Sequence, residues 1–443
     1  MNPAARETAA RATPSRFDAI IVGGGPAGLA AAITIAEAGL KVAVIERGDW
    51  PGSKNVMGGL IYSHPTSQIV PDFWKEAPLE RHVVRRDMWM TTADSTLKAS
   101  YETTDFALEP YNSFTVFRSR FDKWLAEQAR ARGAYIINET LVEDLLLESG
   151  KVIGVRTGRP GGDLEGNVVI LAEGVNRFLT EKAGLGAKIR PATVALAVKE
   201  VLSLPKDRIE DRFNLEDGTG AALEIVGDVT GGLPGTGFIY TNRDTISIGV
   251  GVILKGLVDK VGESYELLER FKRQPQVKRL IDGAKPREYA AHLIPEGGYR
   301  DMPQLYGDGV LVAGDAAGMV NAVFTEGANL ALLSGRAAGE TVIRAGKTGN
   351  FSAHTLSWYG ERLEKSLVIK DLKQFEDAAP FLSSHAHMFN LYPEVASAAM
   401  KELLTVDSLS KADKTRLIMR LFRSQVPTRR LVRDAYDAWR AIL

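Results

Sequence analysis

The sequence of 443 residues contains no cysteine. This absence excludes disulfide bonds, redox-active thiol pairs, thiolate zinc sites and any cysteine-held iron–sulfur cluster within the chain. An excess of charge is also absent, because 55 Lys and Arg residues balance 55 Asp and Glu residues. Since no global basic field is available to hold phosphates, nucleic-acid binding is not predicted. Any redox chemistry of the chain therefore requires a bound organic group.

Long apolar runs are scarce as well, and one uncharged stretch, 19–36, imitates a signal sequence or a membrane span. Three consecutive glycines at 23–25 and Pro26 would interrupt a helix there, so a spanning helix is not predicted. Hydrophobic residues make up 45% and charged residues 25% of the chain, which is typical of a soluble globular protein. The length predicts about two or three structural units. We expect a cytoplasmic protein.

The beginning of the chain predicts a βαβ unit. Residues 1–16 form an Ala-rich polar segment that we expect to be a disordered tail. Residues 17–22 are typical of a buried strand, 23–25 of a tight turn, 26–39 of an Ala-rich helix and 41–46 of a second strand. Strand, glycine turn, helix and strand within this short distance predict neighbouring strands of a parallel sheet.

The turn of this unit fits the pattern GxGxxG. Gly23 permits the tight turn, Gly25 lets a pyrophosphate approach the backbone, and Gly28 lets the helix lie against the sheet. The free N–H groups and the dipole of the helix N-terminus favour negative charge at this point. Glu46, at the end of the second strand, is placed to hydrogen-bond a ribose. These residues predict dinucleotide binding and leave open whether the ligand is FAD or NAD.

A second glycine-acid strand end, far along the chain, decides between the two ligands. The apolar run 310–313 ends at Gly314 and Asp315, and a helix pattern rich in small residues follows Gly327. NAD would not need this second site, whereas FAD is long enough to be held at both ends. We therefore predict that Asp315 binds the ribityl or pyrophosphate region and that the helix N-terminus near Gly327 faces the flavin ring, where its amides stabilise negative charge.

The remaining patterns predict where the other elements lie. Polar and aromatic alternation at 88–101 and the run 237–252, with the turn candidate "TNRD", are typical of antiparallel strands. Residues 119–133 favour a helix, and the chain beyond Ala337 is helical in pattern. We predict an α/β fold in which a Rossmann-like parallel-sheet domain binds FAD, with an inserted antiparallel β-sheet domain and a helical C-terminal part. The predicted segments are 17–75, 111–190 and 286–345 for the FAD-binding domain, 76–110 and 191–285 for the antiparallel domain, and 346–443 for the helical region.

Four stretches, in this order, resemble the large FAD-dependent group that includes aromatic hydroxylases, geranylgeranyl reductases and electron transfer flavoprotein:quinone oxidoreductases. They are "IIVGGGPAGLAAAITIAEAGLKVAVIER", "VFRSRFDKWLAEQARARGA", "VVILAEGVN" and "VLVAGDAAGMVNAVFTEGANLALLSGRAA". Two further stretches, 52–74 and 291–309, resemble the FixC branch of the quinone oxidoreductase family. The likeness spans about 17–370.

The resemblance implies a set of cofactor-binding residues. Its members for the adenosine and pyrophosphate are Gly23, Gly25, Pro26, Ala27, Gly28, Glu46 and Arg47. The cofactor-facing Arg118 also belongs to the set, and the members for the ribityl chain and the ring are Asp315, Gly327, Ala328 and Asn329. Asn55, Met57 and Gly174 complete the set. Neither a catalytic acid or base nor a metal site is predicted, because the six histidines are scattered.

The resemblance also implies a function and partners. Members of this branch are expected to pass electrons from the α and β subunits of an electron transfer flavoprotein (FixA/FixB-like) to a quinone. A small ferredoxin-like iron–sulfur subunit (FixX-like) is expected to supply the cluster that this cysteine-free chain cannot hold. The resemblance implies an electron-bifurcating complex that serves low-potential electron supply in nitrogen fixation. Two alternatives stay open: a geranylgeranyl reductase-like flavoenzyme that reduces isoprenoid double bonds, and a flavin-bearing assembly subunit without its own turnover.

Two features bear on how electrons reach the chain. The stretch 218–223 lacks the third glycine and the context of a second GxGxxG, so direct binding of NAD(P)H is not predicted. The C-terminal stretch 411–443 is basic and amphipathic. Such a helix lies on an anionic membrane or binds an acidic partner, and a packed helix pair with a solvated basic side is the alternative. Peripheral attachment to the cytoplasmic side of the inner membrane is thus a second expectation.

Overall fold

A computed structural model describes residues 16–55, 58–186, 188–259 and 264–442. The predicted disordered tail, apart from Arg16, and Met57 lie outside the described residues. The strands are β1 (Ala19–Val22), β2 (Val42–Ile45), β3 (Gly58–Tyr62), β4 (Leu79–Thr91), β5 (Thr96–Glu102), β6 (Ser113–Phe117), β7 (Tyr135–Ile137), β8 (Val142–Glu148), β9 (Lys151–Thr157), β10 (Leu164–Glu165), β11 (Val169–Leu171), β12 (Val194–Ser203), β13 (Thr219–Gly227), β14 (Gly235–Thr241), β15 (Thr245–Ile253), β16 (Lys285–Pro295), β17 (Tyr306–Gly307) and β18 (Val310–Val312).

Helices connect these strands and form the end of the chain. They are α1 (Pro26–Glu37), α2 (Ser63–Ser67), α3 (Arg118–Ala131), α4 (Phe178–Lys182), α5 (Lys206–Phe213), α6 (Leu254–Asp259), α7 (Ser264–Arg273), α8 (Pro275–Ile281), α9 (Ala328–Gly346), α10 (Ala353–Leu356), α11 (Trp358–Glu364), α12 (Leu367–Gln374), α13 (Ala378–Ser384), α14 (Leu391–Leu404), α15 (Lys411–Gln425) and α16 (Thr428–Ile442). Within the described ranges, no helix combines the length and the apolar character that crossing a membrane requires. The uncharged stretch 19–36 instead forms β1, a turn and α1.

The predicted βαβ unit is confirmed, and it lies at the centre of a six-stranded sheet. The strand order is β17-β18-β11-β1-β2-β7, and all neighbours are parallel except β17 and β18. Strands β1, β2, β11 and β18 are buried along their whole length, as expected for a parallel sheet that is covered on both faces. Because the strands are parallel, the residues that follow β1, β2, β11 and β18 meet at one edge of the sheet.

A nine-stranded sheet forms the second layer. Its order is β16-β12-β15-β14-β13-β4-β6-β3, with β5 paired to β4. The predicted hairpin at 237–252 is confirmed as β14 and β15, joined at residues 242–244. One face of this sheet packs against α5, α7 and α8 through apolar residues such as Ile209, Phe271 and Val277. The opposite face is turned toward the parallel sheet.

Some strands near the predicted domain limits belong to the nine-stranded sheet, although the sequence predicted them in the FAD-binding domain. Strands β3 and β6 and all but the first residue of β16 fall within the predicted segments of the FAD-binding domain, whereas all three strands pair in the nine-stranded sheet. Their partners are distant in sequence: β16 pairs with β12, which begins 91 residues before it. The pattern of residues within one segment of the sequence does not predict such a pairing. The exchange of strands shows that the chain crosses between the layers several times.

A buried arginine joins several turns of the nine-stranded sheet. Arg81 is 2% exposed and donates to the carbonyl oxygens of Asn242 (2.6 Å), Thr219 (2.9 Å) and Arg243 (3.0 Å). Its guanidinium also pairs with Glu210 at 2.9 Å. These contacts use most of the fork of donors that a guanidinium carries, so the buried charge is compensated.

Helices α1 and α9 pack directly against each other. A Cβ added at Gly335 would lie 2.0 Å from the carbonyl oxygen of Ala27, and one added at Gly339 would lie 2.8 Å from Cβ of Thr34. On the same side, a Cβ added at Gly314 would lie 2.8 Å from Cβ of Ala27. Only glycine permits these distances. The small residues of α9 therefore allow the segments around Ala27, Gly314 and Gly335 to meet.

We expect Gly335→Ala to destabilise the protein by about 1–3 kcal/mol, because the added methyl group overlaps backbone atoms of α1. Gly346→Ala is the matched control. No heavy atom of the described residues lies within 4 Å of the position of its Cβ, so we expect no loss of stability there and a gain of up to about 1 kcal/mol. Urea unfolding measures both changes. Equal stability of Gly335→Ala and the parent protein would contradict the close contact.

Candidate functional site

The glycine turn after β1 is held by contacts that exclude side chains. Gly23 has φ +105°, and a Cβ there would lie 2.3 Å from the carbonyl oxygen of Ala172. A Cβ at Gly28 would lie 2.0 Å from the carbonyl oxygen of Gly23. In contrast, no heavy atom of the described residues lies within 4 Å of where a Cβ of Gly25 would stand. The turn is therefore packed on the sheet side and open at the helix N-terminus.

This helix N-terminus has no internal partner for its first N–H groups. Gly25 is the N-cap of α1, and no side chain in the described part of the chain caps it. Pro26 follows as the first helical residue, which removes one donor that would otherwise need a partner. The uncapped amides and the helix dipole make the turn suitable for a phosphate group.

The Glu46 carboxylate holds the loops at the end of β2. Its Oε2 accepts a hydrogen bond from Gly24 N at 3.0 Å, and its Oε1 accepts one from Gly48 N at 2.6 Å. The residue also lines the cavity that begins at the turn. Glu46 thus fixes the shape of the glycine turn, and its role as a ligand of the ribose stays a prediction.

The second predicted site lies at the same edge of the sheet. Asp315 follows β18 and is enclosed, and this burial raises its pKa even though Arg118, His292 and Arg177 favour the ionised form. Arg118 forms a bidentate ion pair with Asp122, at 2.7 and 2.8 Å. This pair fixes the guanidinium near Asp315. Arg118 and Asp122 are four residues apart, which is a spacing at which two side chains of a helix can pair. The sequence therefore indicates this pair, although Asp122 was not among the predicted residues.

The N-terminus of α9 also faces the cavity. Gly327 is its N-cap, and no side chain within the described ranges caps it. Gly327 and Ala328 line the cavity. Asn329 does not: its Nδ2 donates to Glu326 at 2.7 Å, while its Oδ1 is buried without a partner among the described residues. The helix N-terminus is placed as the sequence predicted, but Asn329 is turned away from the lining.

One cavity of about 1080 Å³ connects the two sites. This volume is at the upper end of the range for ligand sites, so the cavity is large enough for an extended ligand and a second small molecule. Of the predicted residues, the lining includes Gly23, Pro26, Ala27, Glu46, Arg47, Asn55, Arg118, Gly174, Asp315, Gly327 and Ala328. Gly25 and Gly28 lie within the turn itself, and Met57 lies outside the described residues.

These features fit FAD. The uncapped N-terminus of α1 suits the pyrophosphate, and the open positions at Gly25 and Gly174 leave room beside the backbone. The second uncapped helix, α9, begins at the other end of the same cavity. A single ligand that is both long and negatively charged at its centre satisfies both helix ends.

The nine-stranded sheet contributes a surface to the cavity that was not predicted from the sequence. Ala195 and Ala197 of β12, Gly251 of β15 and Thr236 of β14 line the cavity side by side, and we call these four residues the floor. Their small side chains leave a flat area suited to a planar ring. Its members come from three strands that pair only in the folded sheet, so no local sequence pattern marks them.

Titratable side chains border the floor. His292, opposite Ala197 on β16, is open to the cavity, and its removal from bulk water lowers its pKa. Glu296 directly follows the end of β16, and burial raises its pKa to about 8. Both side chains are therefore mainly neutral at pH 7.

The same cavity also has a group of mainly aromatic lining residues, which we call the aromatic lobe. The lobe is lined by Val226, Phe238 and Tyr240 of the sheet and by Phe381, Leu382 and Phe389 of the C-terminal region. The rings of Phe238 and Tyr240 stack with centroids 4.9 Å apart. This lobe can receive an apolar or aromatic molecule next to a ring on the floor.

A polar network closes one side of the aromatic lobe. Arg86 donates to Glu224 at 2.6 Å and to the hydroxyl of Tyr62 at 3.2 Å, and Thr325 also donates to Glu224, at 3.2 Å. Burial raises the pKa of Tyr240, so its hydroxyl stays a hydrogen-bond donor at neutral pH. The lobe therefore combines apolar walls with a few fixed donors.

We expect Glu46→Ala to weaken FAD retention about 10- to 100-fold, because the turn loses hydrogen bonds to a charged acceptor worth about 1.5–3 kcal/mol. Flavin fluorescence released during dialysis measures this loss. Glu37→Ala is the control, since Glu37 is an exposed residue at the other end of α1 that forms an ion pair with Arg132. If both variants retain FAD equally, Glu46 does not shape the site.

Glu296 should make stability depend on pH. Its pKa is about 8 in the folded chain and about 4.3 when unfolded, so between these values the folded state binds more protons. Stability therefore falls as the pH rises through this window. Glu296→Gln removes the effect, and we expect its gain in thermal midpoint over the parent to be larger at pH 9 than at pH 5. A gain that does not change with pH would contradict this assignment.

Two family models match parts of this chain that contribute to the cavity. The FAD dependent oxidoreductase family model matches residues 18–173, and the ETF-QO/FixC family C-terminal domain matches residues 378–443. A geranylgeranyl bacteriochlorophyll reductase-like protein from Thermoplasma acidophilum has the same fold, with a TM-score of 0.72 and 17% identity over 93% of this chain and 97% of that chain. The predicted fold class and the cofactor FAD are confirmed.

Relatives at higher identity extend over almost the whole chain. Protein FixC of Bradyrhizobium diazoefficiens is 44% identical over 431 residues, which cover 96% of this chain and 99% of that protein. Protein FixC of Escherichia coli K12 is 43% identical over 393 residues, which cover 88% and 91%. The chain is an FAD-dependent oxidoreductase, and it belongs to the ETF-QO/FixC family.

Proposed function

We propose that this chain receives electrons from an electron transfer flavoprotein and passes them to a quinone. The observation that carries the proposal is the continuous cavity, in which the aromatic lobe adjoins the floor. The C-terminal wall of the lobe, at Phe381, Leu382 and Phe389, lies in the region that matches the family's C-terminal domain. When bound, FAD supplies one- and two-electron redox chemistry, and the residues of the lobe hold the acceptor.

The chemistry of the lobe suits a quinone head group. A quinone has a planar apolar ring, for which the stacked rings of Phe238 and Tyr240 provide a surface. Its carbonyl oxygens need donors, and the Tyr240 hydroxyl is the donor on that wall. Arg86 and Glu224 balance each other's charge, so the lobe does not require a charged ligand.

The cysteine-free composition supports a complex of several subunits. A cluster held by cysteine thiolates has to come from another chain, so we propose a ferredoxin-like iron–sulfur subunit as partner. The exposed side of α16 supports a contact of this kind. Val432, Tyr436 and Trp439 lie at helical spacing and are 63%, 55% and 59% exposed, beside exposed arginines. A basic and aromatic surface favours association with an acidic protein.

The wider setting is proposed on the same basis. The complex would couple quinone reduction to the supply of low-potential electrons by bifurcation, as expected for nitrogen fixation in this family. A cytoplasmic location, with peripheral contact to the inner membrane, follows from a quinone acceptor. The aromatic lobe also suits an isoprenoid chain, so reduction of a prenyl double bond is the second candidate.

Rapid mixing tests the proposed electron path. The holoprotein, purified together with the proposed ferredoxin-like subunit, is reduced by the electron transfer flavoprotein and then mixed with a soluble quinone. We expect immediate reoxidation of the flavin. Iron and labile sulfide are measured in the same preparation. Saturation of a prenyl chain instead would favour the second candidate, and a flavin that neither partner reduces nor quinone oxidises would favour an assembly subunit without turnover.

A variant locates the quinone step. We expect Phe238→Ala to slow reoxidation by quinone about tenfold, because it removes a ring contact worth roughly 1.5 kcal/mol, while reduction by the flavoprotein partner is unchanged. Tyr289→Ala is the control, because this ring is 52% exposed on β16 and does not line the cavity. Equal reoxidation rates for Phe238→Ala and Tyr289→Ala would place the quinone outside the lobe.

A further inference from the structure

Lys199 is a buried lysine whose amino group has no hydrogen-bond partner among the described residues. It lies in the middle of β12, is 8% exposed, and its Nζ forms no hydrogen bond with any described residue. An ammonium group in such a position is costly unless a ligand compensates it. In the described part of the chain the Lys199 side chain takes part in no hydrogen bond or ion pair, so its presence calls for another explanation.

The strand alternation relates Lys199 to the floor. Successive side chains of a strand point to opposite faces, so Lys199 is on the face of β12 that carries Ala195 and Ala197. Across the sheet, Lys199 is opposite Gly249, and Gly249 is opposite Phe238. Lys199 therefore lies in the row next to the floor, the row that also contains Phe238 of the aromatic lobe, and it is not itself a lining residue of the cavity.

The charges around Lys199 do not neutralise it. From the neighbouring strand β16, Glu288 and His292 face it. On α3, the nearest charge is Arg118, which is already paired with Asp122. Gly249 of β15, the residue opposite, has no side chain, and Glu200 of β12 itself points to the other face. His292 also interacts electrostatically with Asp315 and Arg47, which lie at the edge of the parallel sheet.

We propose that Lys199 takes up a proton when the bound flavin is reduced, so that its charge compensates the negative charge of the reduced ring. The ring receives two electrons and one proton and thereby gains one negative charge. A second proton, from solvent, converts the Lys199 amine to an ammonium group, and the net charge of the site is unchanged. The electrons come from the reductant, which is a protein donor in the cell and dithionite in the experiment.

The surroundings of Lys199 define the pH range of this coupling. Burial, opposed by Glu288 and assisted by Arg118, lowers the pKa of Lys199 to about 7. Below this value the side chain is already protonated before reduction and takes up no further proton. Above it the side chain is neutral beside oxidised flavin, and a negative ring raises its pKa again. The N-terminus of α9 also favours a negative ring, but its dipole does not change with pH.

Anaerobic redox titration of the holoprotein between pH 7.5 and 9.5 tests the coupling without any partner protein or quinone. The slope of the midpoint potential against pH reports the number of protons taken up with two electrons. We expect two protons for the parent and one for Lys199→Met, so that the parent slope is twice as steep. Lys199→Arg keeps its charge over this range, and we expect the shallow slope with a higher potential than that of Lys199→Met.

Two controls make the assignment specific. Lys255→Met removes an exposed lysine of α6 that pairs with Asp259, and we expect the parent slope. His292→Gln removes another group near the floor that can bind a proton, and we expect the parent slope again. A parent slope equal to that of Lys199→Met would overturn the proposal, as would halving of the slope by His292→Gln alone.

A spectroscopic titration covers the case in which Lys199→Met does not retain FAD. The absorbance of the oxidised flavin should change with pH in the parent protein, with a midpoint near 7, because a neighbouring charge appears or disappears. We expect no such transition in Lys199→Arg. A parent spectrum that is constant from pH 6 to 9, or a transition that persists in Lys199→Arg, would show that Lys199 does not titrate beside the flavin. Failure of quinone reduction would leave these results unaffected, since they depend only on bound FAD.

Discussion

The close contact between α1 and α9 determines where every other part of the site lies. At this contact the backbone of Ala27 touches Gly335, and the turn at Gly314 packs against the side chain of Ala27. The glycine turn after β1 and the acid after β18 thereby reach the same cavity, although almost the whole sheet domain separates them in sequence. The hydroxyl of Tyr359 donates to the carbonyl of Val312 at 3.0 Å and holds the end of β18 in this position.

The site distributes charge in an uneven way along the cavity. At one end, uncapped amides and arginine surround the place of the pyrophosphate, and these groups are charged or polar at any physiological pH. Around the floor, burial shifts Lys199, His292 and Glu296 toward their neutral forms. The first end therefore suits permanent binding of an anion, while the second can respond to a change of charge.

Much of the parallel domain could be predicted from sequence because its signals are local. The turn Gly23–Gly28 is a short pattern, and the strand end at Asp315 is an apolar run followed by glycine and an acid. The floor, Lys199 and the aromatic lobe could not be predicted, since strand pairing between distant segments brings them together. The same reason explains the boundaries, where β3 and β16 joined the larger sheet. Asn329 shows a finer limit, because a helix N-terminus is predictable but the rotamer that turns its amide toward Glu326 is not.

The order of the segments around the cavity has a consequence for biosynthesis. The glycine turn is synthesised long before Phe381, Leu382 and Phe389, which form another part of the cavity wall. A nascent chain that ends between these segments therefore lacks that part of the wall. The C-terminal region thus completes a cavity whose other walls belong to earlier segments of the chain.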